Sequence, residues 1–293
     1  MAKLRKAIIL TIALVTALLS GNYLHAEVSS GGTETTLVEK EKIALAAFLN
    51  NTPLAPIDYL LLIDPAGEVE KHKLEFESLI SFLEKKKSAY KSDKQFLEFL
   101  FYKVHARLLK VYQPFTSFSA ILSNGRYNCL TATALYALLF DHFDYEYEIV
   151  ENAFHIYLTV QLEGKSILIE STDPIEGFIE DSKKLNERLN RYTTWTYSSN
   201  SYKFDSKVFE EIDLYQLVGL HYYNTAVAYY NDGLLAHAYR ELNKAFIFHY
   251  TERMVEFMGL ILNEADISPD YVGTEPAADE MLKWVISDNL YNN

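Results

Sequence analysis

The sequence predicts an α+β protein, with helices around a small antiparallel sheet and a further helical segment behind them. Three observations carry this. Apolar residues recur at three- and four-residue spacing through 37–50, 71–87 and 92–112, the period of amphipathic helices. Between 147 and 170 the pattern switches to alternation of apolar and polar residues, the period of half-buried strands. From Val208 the helical period returns and continues almost unbroken to Ala265.

The elements follow in chain order. Lys3, Arg5 and Lys6 precede the apolar run Ala7–Leu19, and Leu24-His-Ala26 follows. A charged region, a hydrophobic region and a small residue in that order make residues 1–26 an expected secretory signal peptide, so the destination is periplasmic or secreted. The run falls short of the ~20 apolar residues that cross a bilayer, so no stable transmembrane anchor is expected. Residues 27–36 are small and polar and read as a leader. The helix at 37–50 stops at Pro53 and Pro56, Asp64-Pro65 with Gly67 makes a turn, and Leu74, Leu79, Phe82 and Leu83 form the apolar face of the next helix. Ser92 or Asp93 caps a third helix that runs to about Tyr112, with Phe96, Phe99, Leu100, Val104, Leu108 and Val111 on one face. Beyond Pro174 an irregular stretch continues to about Asp205. Within it, Thr193–Tyr202 is either a binding loop or a surface connection. Pro276–Leu290 predicts a final amphipathic helix.

Composition narrows the partners. Of 293 residues, 49% are hydrophobic and 14% aromatic, enough for a sizeable core. The net charge is −13, and without residues 1–26 it becomes −16, from 24 Lys+Arg against 40 Asp+Glu. Phosphate backbones and anionic membranes are poor partners for such a chain, so no nucleic acid is expected. A single cysteine excludes an intrachain disulfide.

That cysteine is the centre of the functional reading. In Asn124-Gly-Arg-Tyr-Asn-Cys129-Leu-Thr-Ala a glycine-containing turn ends at Cys129, and residues at helical spacing follow. Helix-initial N–H groups and the helix dipole favour a thiolate and stabilise an oxyanion. His155 begins an alternating strand in which Tyr157, Thr159 and Gln161 share its face, while Phe154, Ile156, Leu158 and Val160 oppose it. Glu163-Gly164 turns into a second strand. Pairing Val160 with Ile167 and Leu158 with Ile169 keeps one face apolar. That register sets Glu170 opposite Tyr157 and diagonal to His155, ~7–8 Å across the sheet and within side-chain reach. A one-residue slip would put Asp173 opposite His155 but turn Ile167 and Ile169 outward, so Glu170 is the candidate acid and Asp173 the reserve. Asn128 is a candidate oxyanion donor or a helix cap. His105 sits near the edge of its helix, and His142 follows Asp141 at a helix end. Neither has a partner at ligand spacing, and neither a metal site nor a cofactor is predicted.

A cysteine at a helix start, a histidine on one strand and an acid on the next resemble the transglutaminase-like superfamily of papain-related thiol enzymes. Gly125…Cys129, His155-Ile-Tyr and Ile169-Glu-Ser-Thr-Asp-Pro174 carry the likeness over roughly 92–180. The family usually has Asp where Glu170 stands, and one residue where three separate Gly125 from Cys129. The resemblance implies a papain-related core, a Cys129–His155–Glu170 triad, and acyl transfer from an amide to water or to an amine.

Residues 224–245, Asn-Thr-Ala-Val-Ala-Tyr-Tyr-Asn-Asp-Gly-Leu-Leu-Ala-His-Ala-Tyr-Arg-Glu-Leu-Asn-Lys-Ala, resemble one tetratricopeptide repeat. Ala226, Ala238 and Ala245 allow close helix contact, Tyr229 and Leu242 fill the groove, and Asp232-Gly233 makes the turn. One repeat cannot bury its own apolar face, so these helices are expected to pack on the sheet-bearing domain.

The domain organisation expected is a signal peptide at 1–26, an N-terminal helical region at 27–91, a transglutaminase-like domain at 92–205, a tetratricopeptide-like helical segment at 206–265, and a C-terminal helix and tail at 266–293. The function expected is amide hydrolysis or acyl transfer on a protein or peptide substrate. The alternative is a catalytically inactive extracytoplasmic scaffold that binds a protein partner through its C-terminal helices.

Overall fold

The structure, a computed structural model, describes residues 36–64, 68–152, 155–198 and 209–265, without the side chains of 193–198. The expected signal peptide, nearly all of the polar leader, the Pro65–Gly67 turn, Phe154 and the helix at Pro276–Leu290 lie outside the described residues. Two compact units are present, Met1–Leu54 with Thr274–Asn293, and Ala55–Gly273. The first contributes helix α1 (Leu37–Leu49), whose start is capped by the Thr36 hydroxyl accepting from Glu39 N–H at 3.2 Å.

The second unit holds everything else that is described. It begins with α2 (Pro56–Leu62), α3 (Val69–Lys87) and α4 (Asp93–Leu108). Pro56, expected to break a helix, starts one: at the first helical position the missing N–H costs nothing and the fixed φ suits the turn. In α3 the inward residues are His72, Phe76, Leu79 and Leu83, while Leu74, expected on that face, is 66% exposed. Ser92 caps α4 by accepting from Gln95 N–H. The helix ends at Leu108, short of the expected Tyr112, because Lys110 and Val111 donate their N–H groups to Gly125 O at 2.9 and 3.1 Å. Val111–Tyr112 thereby becomes strand β1, parallel to β2 (Arg126–Tyr127), with the short helix α5 (Ser119–Asn124) between them.

Helix α6 (Cys129–His142) is the centre of the core, with residues 130–140 all buried, so this helix is enclosed on every side. It packs on β3 (Glu146–Glu151) and β4 (Ile156–Leu162), whose neighbours are β5 (Lys165–Ile169), β6 (Phe178–Ile179) and β7 (Glu210–Ile212). Those five strands form an antiparallel sheet in the order β6-β5-β4-β3-β7. The architecture is therefore mixed helix and sheet, with one small antiparallel sheet. Leu158 pairs with Ile169 and Val160 with Ile167, the register that the apolar pattern selects. Ile149, Leu158, Val160, Ile167 and Ile169 are all buried. Glu163 and Gly164, both at positive φ, close the β4–β5 hairpin.

The opposite sheet face is also covered. Residues 182–198, expected to be irregular, form helix α7 (Ser182–Ser198). Leu185, Leu189 and Tyr192 pack with Phe209 over Tyr157, Leu168 and Ile179. Tyr157 is thus buried on the face expected to be polar. Of the stretch Thr193–Tyr202, residues up to Ser198 belong to this helix and the rest lie outside the described residues.

Two antiparallel helices, α8 (Leu214–Asn231) and α9 (Leu235–Phe248), follow, and then α10 (Glu252–Glu264). Ala226, Ala238, Leu242 and Ala245 are fully buried, and Gly233 at φ 73° makes the turn. Helix α8 contacts α6, and Arg253 of α10 forms an ion pair with Glu151 of β3, whose other oxygen lies 3.6 Å from His249 Nε2. These helices pack against the sheet-bearing core.

Candidate active site

Cys129 is placed by a capping box. Asn128 takes an extended conformation, its Oδ1 accepts from Thr131 N–H at 2.8 Å, and Thr131 Oγ1 accepts from Asn128 N–H at 2.9 Å. Cys129 becomes the first helical residue, half-buried, with its own N–H among the four that have no intrahelical acceptor. The chain reaches this point through Gly125 at φ 76°, where a Cβ would come within 2.9 Å of the Lys110 side chain. The expected oxyanion role of Asn128 meets a competing use. Its carboxamide oxygen caps the helix and its Nδ2 donates to Thr116 O at 3.5 Å, so Asn128 holds the backbone.

His155 immediately precedes β4 and Glu170 immediately follows β5. Antiparallel pairing brings that start and that end together. His155 Nε2 donates to Glu170 Oε2 at 2.6 Å, and since the carboxylate can only accept, the proton resides on Nε2. The Cys129 sulfur neighbours the same imidazole, close enough to help raise it. With Nε2 engaged by the carboxylate, Nδ1 is the nitrogen left for sulfur. The His155 backbone is fixed in turn, its N–H donating to Asn152 Oδ1 at 2.7 Å and its carbonyl accepting from Asn152 N–H at 2.9 Å.

Glu170, the candidate acid, is 2% exposed and fully engaged. Thr172 donates its hydroxyl to Glu170 Oε1 at 2.6 Å and its N–H to the same oxygen at 3.2 Å, while the Tyr192 hydroxyl donates to Oε2. The loop after Glu170 closes on itself, with Glu170 N–H donating to Gly177 O at 2.8 Å. A Cβ at Gly177 would lie 2.3 Å from the carbonyl oxygens of both Glu170 and Asp173, so glycine is required there. Asp173, the reserve acid, faces elsewhere: its Oδ1 accepts from Ile175 and Glu176 N–H and its Oδ2 from Arg188 Nη2 at 3.0 Å.

These contacts set the charges. Burial opposes a cationic His155, but the Cys129 sulfur and the Glu170 carboxylate, which accept from it and carry negative charge, outweigh it and raise the imidazole to about 9. Burial likewise raises Glu170, yet the hydrogen bond and charge of His155, aided by Thr172 and Tyr192, bring it below the ordinary carboxylate value. Tyr192 is pushed well up, first by burial and then by the Glu170 charge, which keeps its hydroxyl protonated.

Three residues of the site escape the sequence pattern: Tyr112, Thr172 and Tyr192. Tyr112 neighbours Cys129, and burial followed by the sulfur's charge raises its hydroxyl. Its ring packs edge-on against Tyr127, centroids 5.8 Å apart. A usable signal for Tyr192 was the stripe Leu185, Leu189, Tyr192 at helical spacing.

The other histidines stand apart. His105, expected near a helix edge, is buried between Phe101 and Tyr127, its Nε2 has no partner, and burial lowers its pKa. His142 Nε2 meets Glu84 Oε1 at 3.1 Å. Among the described residues no group of three or more His, Cys, Asp or Glu could hold a metal ion, and no helix is long and apolar enough to cross a membrane. Comparison of the chain with protein-family models, with curated proteins and with solved structures gives no match.

Proposed function

We propose that the chain is an exported, transglutaminase-like thiol protein that cleaves an amide bond, or transfers its acyl group, through Cys129, His155 and Glu170. The observation that carries this reading is the His155 imidazole, held by the buried Glu170 carboxylate at 2.6 Å and raised in part by the neighbouring Cys129 sulfur. Such an imidazole can accept the thiol proton at Nδ1 while the carboxylate fixes its tautomer.

Sulfur attacks the amide carbonyl, forming a C–S bond, and the carbonyl oxygen becomes an oxyanion within reach of the Cys129 N–H and the Tyr112 hydroxyl. Imidazolium then protonates the departing amine as the C–N bond breaks, leaving a thioester on Cys129. His155, now neutral, removes a proton from water or an acceptor amine, which attacks the thioester and releases Cys129. The α8–α9 hairpin, read as a single tetratricopeptide-like repeat, supports the core in this scheme.

Incubation with a panel of glutamine- and asparagine-containing peptides, followed by intact mass analysis after acid quench, tests the proposal. A thioester adduct that maps to Cys129 and disappears in Cys129→Ser is the expected result. Release of ammonia or amine that persists in Cys129→Ser would refute it.

A further inference from the structure

Glutamate has one more rotatable side-chain bond than aspartate, so an acid at position 170 must be restrained more firmly to keep one oxygen on His155. Thr172 restrains Oε1 with two hydrogen bonds, and Tyr192 restrains Oε2, the oxygen that meets His155. Tyr192 comes from a different element, α7, and its ring lies 4.8 Å from that of His155 and 5.3 Å from that of Tyr157. Arg188, one helical turn before Tyr192, pairs with Asp173 at 3.0 Å. Hydrogen bonds connect Tyr192, Glu170 and His155.

We propose that Tyr192 is a positioning residue whose hydroxyl locks the longer Glu170 side chain onto His155. The inference rests on the triad reading above and deepens it. A glutamate serves at this position because α7 supplies a donor that an aspartate would not need. Helix α7 then has two tasks, covering the outer sheet face with Leu185 and Leu189 and fixing the acid with Tyr192. The titratable and charged groups facing the pair are Cys129 from α6, Tyr112 from β1, Tyr157 from β4, Tyr192 and Arg188 from α7, and Asp173 in the loop after β5.

Tyr192→Phe in the full chain removes the hydroxyl and keeps the ring packing. The readout is the titration of His155 by NMR on histidine-labelled protein, its resonance assigned by loss in His155→Gln. A fall of one pH unit or more in the His155 pKa is expected. In a Glu170→Gln background the Tyr192→Phe substitution should change it no further, since the effect runs through Glu170. Thr172→Val should shift His155 in the same direction. An unchanged or raised His155 pKa in folded Tyr192→Phe, or an equal shift in the Glu170→Gln background, overturns the inference. The two readings fail separately: an unreactive Cys129 in the unsubstituted chain would sink the nucleophile, while the His155 titration would still decide the role of Tyr192.

Discussion

Thr133 Oγ1 and Ser171 Oγ lie 3.1 Å apart, both fully buried, the first one helical turn after Cys129 and the second one residue after Glu170. This pair ties the helix that begins at Cys129 to the strand end that leads into Glu170. Thr133→Val keeps the shape and strands the Ser171 hydroxyl without its partner, which should cost about 1–3 kcal/mol in urea denaturation. Adding Ser171→Ala should recover part of that loss, because both partners are then apolar. A double variant less stable than the single one would show that the pair does not couple the two elements.

The His155–Glu170 bond predicts a pH dependence. Glu170→Gln removes the carboxylate that helps hold His155 at about 9, so its titration should move toward the ordinary ~6.5. The folded-state pKa is raised, so the stability it contributes is fully present below ~6.5 and lost as pH rises through about 9. Melting temperature against pH should therefore fall between those limits in the unsubstituted chain, and fall less in Glu170→Gln. Equal profiles would contradict the pairing.

Tyr112 contributes a hydroxyl beside the thiol from an exposed two-residue strand. Tyr112→Phe should lower kcat by about 100–1,000-fold with little change in KM if that hydroxyl stabilises the oxyanion, one donor's share. A raised KM with kcat unchanged would make Tyr112 a substrate contact instead.

How far the sequence discloses the fold depends on whether the governing contact is local. The capping box at Asn128, the turns at Glu163-Gly164 and Asp232-Gly233, and the β4–β5 register are local or two-strand problems. Alternation and turn chemistry are enough to solve them. Val111–Tyr112 is different: the helical period continues through it, but pairing to Gly125 and Tyr127, a non-local contact, prevails. Helix α7 reads as irregular because charged and amide side chains dominate it. Its narrow stripe of Leu185, Leu189 and Tyr192 gains meaning only once Tyr157 and Leu168 are seen to need a cover. At the site the same division holds. His155 and Glu170 follow from register, whereas Tyr192 and Tyr112 come from elements whose docking the register does not specify.

The C-terminal helices are anchored by a buried charge. Burial alone would raise Glu151, but His249 and Arg253 bring it below the ordinary carboxylate value. Arg253→Ala would leave that carboxylate without its strongest partner and should cost about 3–5 kcal/mol. The accompanying loss of α8–α10 from the core is readable by hydrogen exchange in α10. A loss under 1 kcal/mol would mean that apolar packing alone holds these helices.

The central claim is the proposal that the Cys129 sulfur attacks with His155 as its base. The rate of Cys129 alkylation by iodoacetamide, followed by mass spectrometry from pH 4 to 10, tests it most directly. The account predicts an alkylation rate with an inflection near 9, where His155 deprotonates, and a slower rate without that inflection in His155→Ala. A rate–pH profile unchanged in His155→Ala would contradict it.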